Sequence, residues 1–200
     1  MHSQEFLGES RDICPNSVGV DVTDDGVVVE YSYLPNGVQR VFVYTSASGI
    51  ADMATLMPDN SGTSQATAIN SSNQVVGSTT APTGGYPGAF VYDLASDSMR
   101  PLLGLGSIAQ ATAINDSNVV VGIAKKVGGV DSAVIWNDDA IRDLNELIST
   151  DSGWVLNSAV GINEHGPIVG MGLHNGSKAA FRLESYSADS DGDGVNDDID

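Results

Sequence analysis

The 200-residue chain is poor in positive charge: 8 lysines and arginines stand against 26 aspartates and glutamates, a formal net charge of −18. A field of that sign repels phosphate backbones and anionic lipid, which argues against nucleic acids and membrane surfaces as partners. Long apolar runs are missing, so no segment reads as a membrane-crossing helix and no membrane insertion is expected. The single cysteine, Cys14, has no partner for an intrachain disulfide, and the fold must rest on its core. Chains of this length bury roughly 70% of their surface on folding, enough for one. Sustained 3.6-residue periodicity is also missing; only Asn145-Glu146-Leu147-Ile148 is expected to form a single helical turn. The opening residues, Met1-His2-Ser3-Gln4-Glu5, have neither the basic nor the apolar stretch of an export signal. A destination outside the cell therefore requires a signal lying beyond this sequence.

What the chain does have is a repeat. Ala66-Thr67-Ala68-Ile69-Asn70-Ser71-Ser72-Asn73-Gln74-Val75-Val76-Gly77 returns as Ala111-Thr112-Ala113-Ile114-Asn115-Asp116-Ser117-Asn118-Val119-Val120-Val121-Gly122, and again as Val160-Gly161-Ile162-Asn163-Glu164-His165-Gly166-Pro167-Ile168-Val169-Gly170. A degenerate copy runs from Val20 to Val29. The opening turn position is Thr23, Asn70, Asn115 and Asn163, at separations of 47, 45 and 48 residues. Glycine turns keep the same register at Asn36-Gly37, Gly84-Gly85, Gly128-Gly129 and Asn175-Gly176. So do the apolar runs Val41–Tyr44, Ala89–Tyr92, Ala133–Trp136 and Ala180–Leu183. Such periodicity marks an array of like supersecondary units.

Each unit reads as four short strands separated by turn residues. In the first turn, the opening Asn or Thr is expected to bond the backbone two residues ahead, and the closing Asn or Gly to take a positive φ. Asn-Gly or Gly-Gly sets the second turn. The third strand is nearly continuously apolar, so both its faces should be covered. The fourth, with Arg100, Pro101, Arg142 and Asp143, suits an exposed edge. Small residues in the first (Ala66, Ala68, Ala111, Ala113, Ala159, Gly161) suit a crowded inner place. The expected fold class is therefore all-β: four repeats of about 47 residues in a small four-bladed β-propeller spanning 5–184. The fourth unit lacks an outer strand, and Glu5-Phe6-Leu7-Gly8 is expected to supply it, bring Phe6 and Leu7 to the Phe181 strand, and close the ring. The runner-up is an open arc, or half of a larger or dimeric propeller.

The Ala-x-Ala-Ile-Asn-x-x-x-x-Val-Val-Gly motif and the Ala-Phe-Val-Tyr strand resemble the bacterial extracellular HAF repeats, over about Ser17 to Glu184. The eponymous histidine is replaced by Arg40, Gly88, Ser132 and Ala179, so no role tied to it carries over. The resemblance implies a secreted or surface-attached bacterial protein and brings no catalytic residues.

The segment 185–200 is acidic. Set against a calcium loop, Asp189, Asp191 and Asp193 take positions 1, 3 and 5, Gly194 the sharp turn, Val195 the backbone-carbonyl position, Asp197 position 9 and Asp200 position 12. Calcium favours six to eight hard oxygens, which alternating carboxylates around a glycine provide. The segment is similar to a thrombospondin type 3 calcium repeat or half of a dockerin-like motif. A lone loop ending on Asp rather than Glu is expected to bind weakly, with a dissociation constant on the order of 10⁻⁴–10⁻³ M, which suits an extracellular site.

Motifs for catalysis are absent: His-x-x-x-His, Gly-x-Ser-x-Gly and Gly-Lys-Ser/Thr do not occur. His165 and His174 fall in turns and His2 at the start, without ligand-spaced partners. Tyr44, Tyr92 and Trp136 share one repeat position with Leu183 and read first as packing between blades. Asp21, Asp24 and Asp25 read as turn aspartates. The expected function is a non-enzymatic extracellular module that binds a surface glycan or protein, or acts as a scaffold, with homo-oligomerisation as a further expectation. The alternatives are a self-assembling surface or fibre subunit and a carbohydrate-active enzyme. The enzyme would need paired acids that break the repeat, of which Glu30, at the place of Gly77, Gly122 and Gly170, is the clearest and Glu164 the second. Calorimetric titration with calcium should give binding heat for the whole chain and none for a chain ending at Tyr186; equal heats would remove the metal assignment.

Overall fold

The structure is a computed structural model that describes residues 17–53, 55–56, 61–80, 88–138 and 140–184. Among the described residues, fifteen strands form four antiparallel sheets, each running in simple sequence order. Sheet 1 is β1 (Val18–Val22), β2 (Val28–Tyr33), β3 (Gln39–Thr45) and β4 (Gly49–Asp52). Sheet 2 is β5 (Thr63–Ile69), β6 (Gln74–Thr80), β7 (Gly88–Asp93) and β8 (Ser98–Leu102). Sheet 3 is β9 (Gly106–Ile114), β10 (Val120–Lys126), β11 (Asp131–Asn137) and β12 (Ala140–Asp143). Sheet 4 has three strands, β13 (Trp154–Ile162), β14 (Ile168–His174) and β15 (Ser177–Leu183). The expected helical turn is a 3-10 turn at Leu144–Glu146, and a second one spans Thr150–Ser152.

The turns form largely for the reasons legible in the sequence. Gly26, Asn73, Asn118 and Gly166 close the first turns with φ of 83°, 59°, 63° and 97°. The side-chain bond differs from the expectation. Thr23, Asn70 and Asn115 accept the backbone N–H four residues ahead, from Val27, Gln74 and Val119, at 3.1, 2.9 and 2.9 Å. Only Asn163 bonds two ahead, to the N–H of His165 at 2.9 Å. Its fourth residue on is Pro167, which has no N–H to give. At the second turns, Gly128-Gly129 and Asn175-Gly176 both have two successive positive φ values, which match the twist of the strands they join. The turn at Gly84-Gly85 lies outside the described residues.

Each inner strand carries a bulge at the same place, where the register slips between Gly19 and Asp21, Ala66 and Ala68, Ala111 and Ala113, and Ala159 and Gly161. The bulge explains a glycine. Gly77, Gly122 and Gly170 pair with Ala66, Ala111 and Ala159, and a Cβ on any of the three would lie 2.0–2.1 Å from the carbonyl oxygen of Gln65, Gln110 or Ser158. Sheet 1 exchanges the two residues: Gly19 is on the inner strand and Glu30 opposite it.

Three apolar clusters hold the sheets in a row. Val29, Val41 and Val43 of sheet 1 pack with Ala66, Ile69, Val75, Phe90 and Tyr92 of sheet 2. Val76, Ala89 and Val91 of sheet 2 pack with Ala111, Ile114, Val120, Val134 and Trp136 of sheet 3. Val121, Ala133 and Leu144 meet Leu156, Ala159, Ile168 and Phe181 of sheet 4. The third strands β7 and β11 are thus buried on both faces, whereas β4 and β8 are mostly exposed. Among the described residues no apolar cluster joins sheet 4 to sheet 1. Val160, Val169 and Met171 of sheet 4 are 50%, 44% and 56% exposed. The expected closing segment, Glu5 to Gly8 with its approach to Phe181, lies outside the described residues.

Replacing Gly122 by Ala should cost about 2–3 kcal/mol in chemical denaturation, since the backbone of β9 would have to move. Gly19→Ala, with nothing within 4 Å of the added Cβ, should stay within about 0.5 kcal/mol of the parent.

Candidate functional site

Side chains from successive first turns form a ladder that runs from sheet to sheet. The Asn70 amide donates to the Asn115 carbonyl and the Asn115 amide to the Asn163 carbonyl, both at 3.1 Å. One residue on, the Ser71 N–H donates to the Asp116 carboxylate at 2.8 Å, and the Asp116 N–H to the Glu164 carboxylate at 2.7 Å. The bonds from Ser71 hold the Asp116 carboxyl below its ordinary pKa. At the bulge, the Thr67 hydroxyl donates to the Ala111 carbonyl at 2.9 Å and the Thr112 hydroxyl to the Ala159 carbonyl at 2.8 Å. Sheet 1 uses other groups: Asp21 accepts the Ile69 N–H at 3.1 Å, and Ser64 accepts the Val41 N–H at 3.0 Å. Glu164, one of the two acids considered for catalysis, is therefore occupied as a rung of this ladder.

A second polar centre fixes sheet 3 to sheet 4. Asp143 is buried and accepts from the Ser132 hydroxyl and from both nitrogens of Asn145, at 2.8–2.9 Å. It also forms an ion pair with Lys126. Burial pushes its carboxyl pKa up, but the bonds from Lys126, Asn145 and Ser132 outweigh burial and hold it below the ordinary value. Asn145 in turn donates to the carbonyl and accepts from the N–H of Leu156, at 2.9 and 2.7 Å, pairing with β13 as a strand would.

Crevices open between neighbouring sheets near the first turns. The one between sheets 3 and 4 has a volume of about 770 Å³ and is lined by Val119, Ile135, Leu147, Ile148, Ile162 and Arg182 among others. Another, of about 470 Å³, lies between sheets 1 and 2 beside Val27, Met53, Asn73, Tyr92 and Asp97. Burial and the Asp97 carboxylate, which accepts from the Tyr92 hydroxyl, push the Tyr92 pKa well above its ordinary value. These volumes fall in the range of small-molecule pockets. Their walls are mainly apolar, suited to holding a ligand by contact. Sequence reasoning missed both crevices, because they are gaps between units and not a pattern within one.

The remaining sequence candidates fall as follows. Glu30 is buried, and its Oε1 has no hydrogen-bond partner among the described residues. It pairs across the sheet with Phe42, while Ser32 pairs with Arg40, and Ser32 and Arg40 are buried as well. Thr23 bonds to Asp25, and Asp24 is exposed. Tyr92 and Trp136 are buried in clusters between sheets, and Trp136 donates to the Leu103 carbonyl at 2.7 Å; Tyr44 and Leu183 are half-buried. Exposed His174 stacks on Trp154 with ring centres 4.7 Å apart, and His165 is exposed. The calcium-loop residues Asp189, Asp191, Asp193, Val195, Asp197 and Asp200 lie outside the described residues, as do His2 and Cys14. Among the described residues no group of three or more His, Cys, Asp or Glu side chains is placed to hold a metal ion.

Residues 3–198 match the family described as "Protein of unknown function (DUF3466)", and the chain belongs to that family. No curated protein matches it. Among solved structures it is similar to TolB from Acinetobacter baumannii, with a TM-score of 0.51 at 17% identity over 85% of this chain. The likeness takes in 44% of the TolB chain, so this chain spans less than half the length of that relative. At that identity the similarity concerns the fold, which is β-propeller-like.

Asn115→Ala removes a turn bond and a rung together and should cost about 1–3 kcal/mol, whereas Asn163→Ala, at an exposed site, should change little. The depressed folded-state pKa of Asp143 means that its contribution is present above the unfolded carboxyl pKa, about 3.9, and is lost as pH falls through the lower folded value. Denaturation midpoints of Asp143→Asn should therefore be lower near neutrality and fall less steeply than the parent's on acidification below about pH 4.

Proposed function

We propose that this DUF3466 chain is a non-enzymatic extracellular or cell-surface module that binds a surface glycan or protein, or scaffolds it, with a weak calcium site in its acidic tail. The observation that carries this reading is the use made of the polar groups. Asp116, Glu164 and Asp143 are each engaged in joining one sheet to the next, while the crevices between sheets are walled mainly by apolar side chains. Contact with such walls supports a binding role. The extracellular placement is supported by the resemblance to HAF repeats and by the filled calcium-loop template at 189–200.

The four sheets are further read as an open arc. A ring of four closed by Glu5 to Gly8 would cover the outer face of sheet 4, and the exposure of Val169 and Met171 favours the open form.

The carbohydrate-active alternative keeps one supporting observation, the buried Glu30, whose Oε1 has no hydrogen-bond partner among the described residues. A glycan array should give retained ligands, and a panel of model glycosides no turnover; turnover that Glu30→Gln abolishes would replace the binding reading with an enzymatic one.

A further inference from the structure

The crevice between sheets 1 and 2 holds a hydrogen-bond acceptor whose donor is missing from the repeat. In sheet 3 the first turn closes on Asn118, whose Oδ1 accepts from the Asn70 amide, one sheet back, at 2.8 Å. Asn73 closes the same turn of sheet 2, also at positive φ. The residue placed to serve it as Asn70 serves Asn118 is Thr23. Threonine has no amide, and the Thr23 hydroxyl donates to Asp25 instead. The Asn73 Oδ1 is accordingly buried with no hydrogen-bond partner among the described residues. A buried acceptor in that state raises the free energy of the fold, and a donor relieves it. The Asn73 backbone is held in place: its N–H donates to the Asn70 carbonyl at 3.0 Å, and its carbonyl accepts from the Leu94 N–H at 3.3 Å.

The surroundings of that atom select the kind of donor. Asn73 lines the crevice of about 470 Å³ together with Val27, Val43, Met53, Leu94, Tyr92 and Asp97 among others. The first four of these make an apolar wall. The Tyr92 hydroxyl donates to Asp97, and the hydroxyls of Thr45 and Ser48, also at the crevice, bond each other at 2.6 Å. Asp97 keeps acceptor capacity, since a carboxylate has about four lone-pair sites. No lysine, arginine or histidine is among the described lining residues. The field is negative: burial, and with it the carboxylates of Asp97, Asp52 and Asp93, raises the pKa of Tyr92. The site therefore offers acceptors, negative charge and apolar contact, and few free donors.

We propose that this crevice binds a small organic ammonium ion, whose N–H groups donate to the Asn73 Oδ1 and the Asp97 carboxylate while its apolar body lies against Val43, Met53 and Leu94. Other ligand classes fit less well. A carboxylate or phosphate would be repelled by Asp97. A neutral sugar carries acceptors as well as donors, and several of its oxygens would be left without partners against valine and leucine. An ammonium brings donors alone, and its bond to a carboxylate is charge-assisted. Asp97 is exposed, so the ion keeps part of its hydration and is not carried whole into an apolar interior. The proposal rests on the reading of the crevices as binding sites and deepens it, by naming the ligand class of one of them.

Calorimetric titration of the full chain with hexylammonium tests this, at an ionic strength of about 0.15 M that screens the rest of the acidic surface. The expected dissociation constant is about 1 mM, in keeping with so few atoms. Hexyltrimethylammonium, which has the charge but no N–H, hexanol, which has no charge, and hexanoate should each bind at least about tenfold more weakly. Asp97→Asn should weaken hexylammonium binding by about tenfold or more. Thr23→Asn supplies the amide that the repeat has elsewhere, so it should raise the melting temperature and also weaken hexylammonium binding by about tenfold. No hexylammonium binding by the parent, equal binding of hexyltrimethylammonium, or an unchanged affinity in either variant would overturn the proposal, as would a Thr23→Asn chain that melts below the parent. Melting curves of both variants ensure that folded proteins are compared. Loss of this site while the glycan array still retains ligands leaves the binding module standing; hexylammonium binding beside an empty array keeps this site and removes the glycan reading.

Discussion

A sheet that is apolar on both faces has to be covered on both, and this requirement organises the whole chain. In an ordinary antiparallel sheet one face can meet water, and its strands alternate accordingly. Here the middle strands are apolar without alternation, as in Ala89–Tyr92 and Ala133–Trp136, so a single unit has no stable solution in isolation. Stacking supplies the missing cover, and each sheet added to the row buries one face of its neighbour and exposes one of its own. The hydrophobic contribution is non-directional. The direction comes from the ladder of asparagine, threonine and carboxylate side chains, which joins the first turns of sheets 2, 3 and 4.

The ladder also shows how a regular array absorbs irregular residues. Pro167 cannot give the N–H that closes the equivalent turns, and Asn163 turns to His165 instead. Sheet 1 has Val20 where Thr67 and Thr112 supply a hydroxyl, and Asp21 and Ser64 tie it to sheet 2 by different atoms. Asp143 and Asn145 do the corresponding work between sheets 3 and 4, by pairing with Leu156 as a surrogate strand.

Much of the fold was legible in the residues, because strand order, turn type and edge character are local properties that a repeat displays several times over. Asn73 and Asn118 at positive φ, the exposed fourth strands and the crowded alanines all follow from patterns within one unit. The glycine at positions 77, 122 and 170 was visible as a motif, but its reason was not, since it depends on a bulge in the adjacent strand. The crevices depend on the spacing between units, which strand patterns do not encode. Glu164 drew attention as an acid in a turn, yet its partner is the backbone of Asp116, a full repeat away, and a backbone amide leaves no trace in the side-chain sequence. The acidic loop at 189–200 was the most specific motif in the chain and lies outside the described residues.

The close approach at positions 77, 122 and 170 has an evolutionary consequence. The obstacle to a side chain there is a backbone carbonyl of the inner strand, which no change of residue on that strand removes. Acquiring a functional group at this depth therefore requires the two strands to move apart, and the substitution alone weakens the sheet before it brings any benefit. Such a barrier would keep successive repeats alike there and make a unit whose strands already leave room, as sheet 1 does around Glu30, the natural founder for chemical novelty in the array.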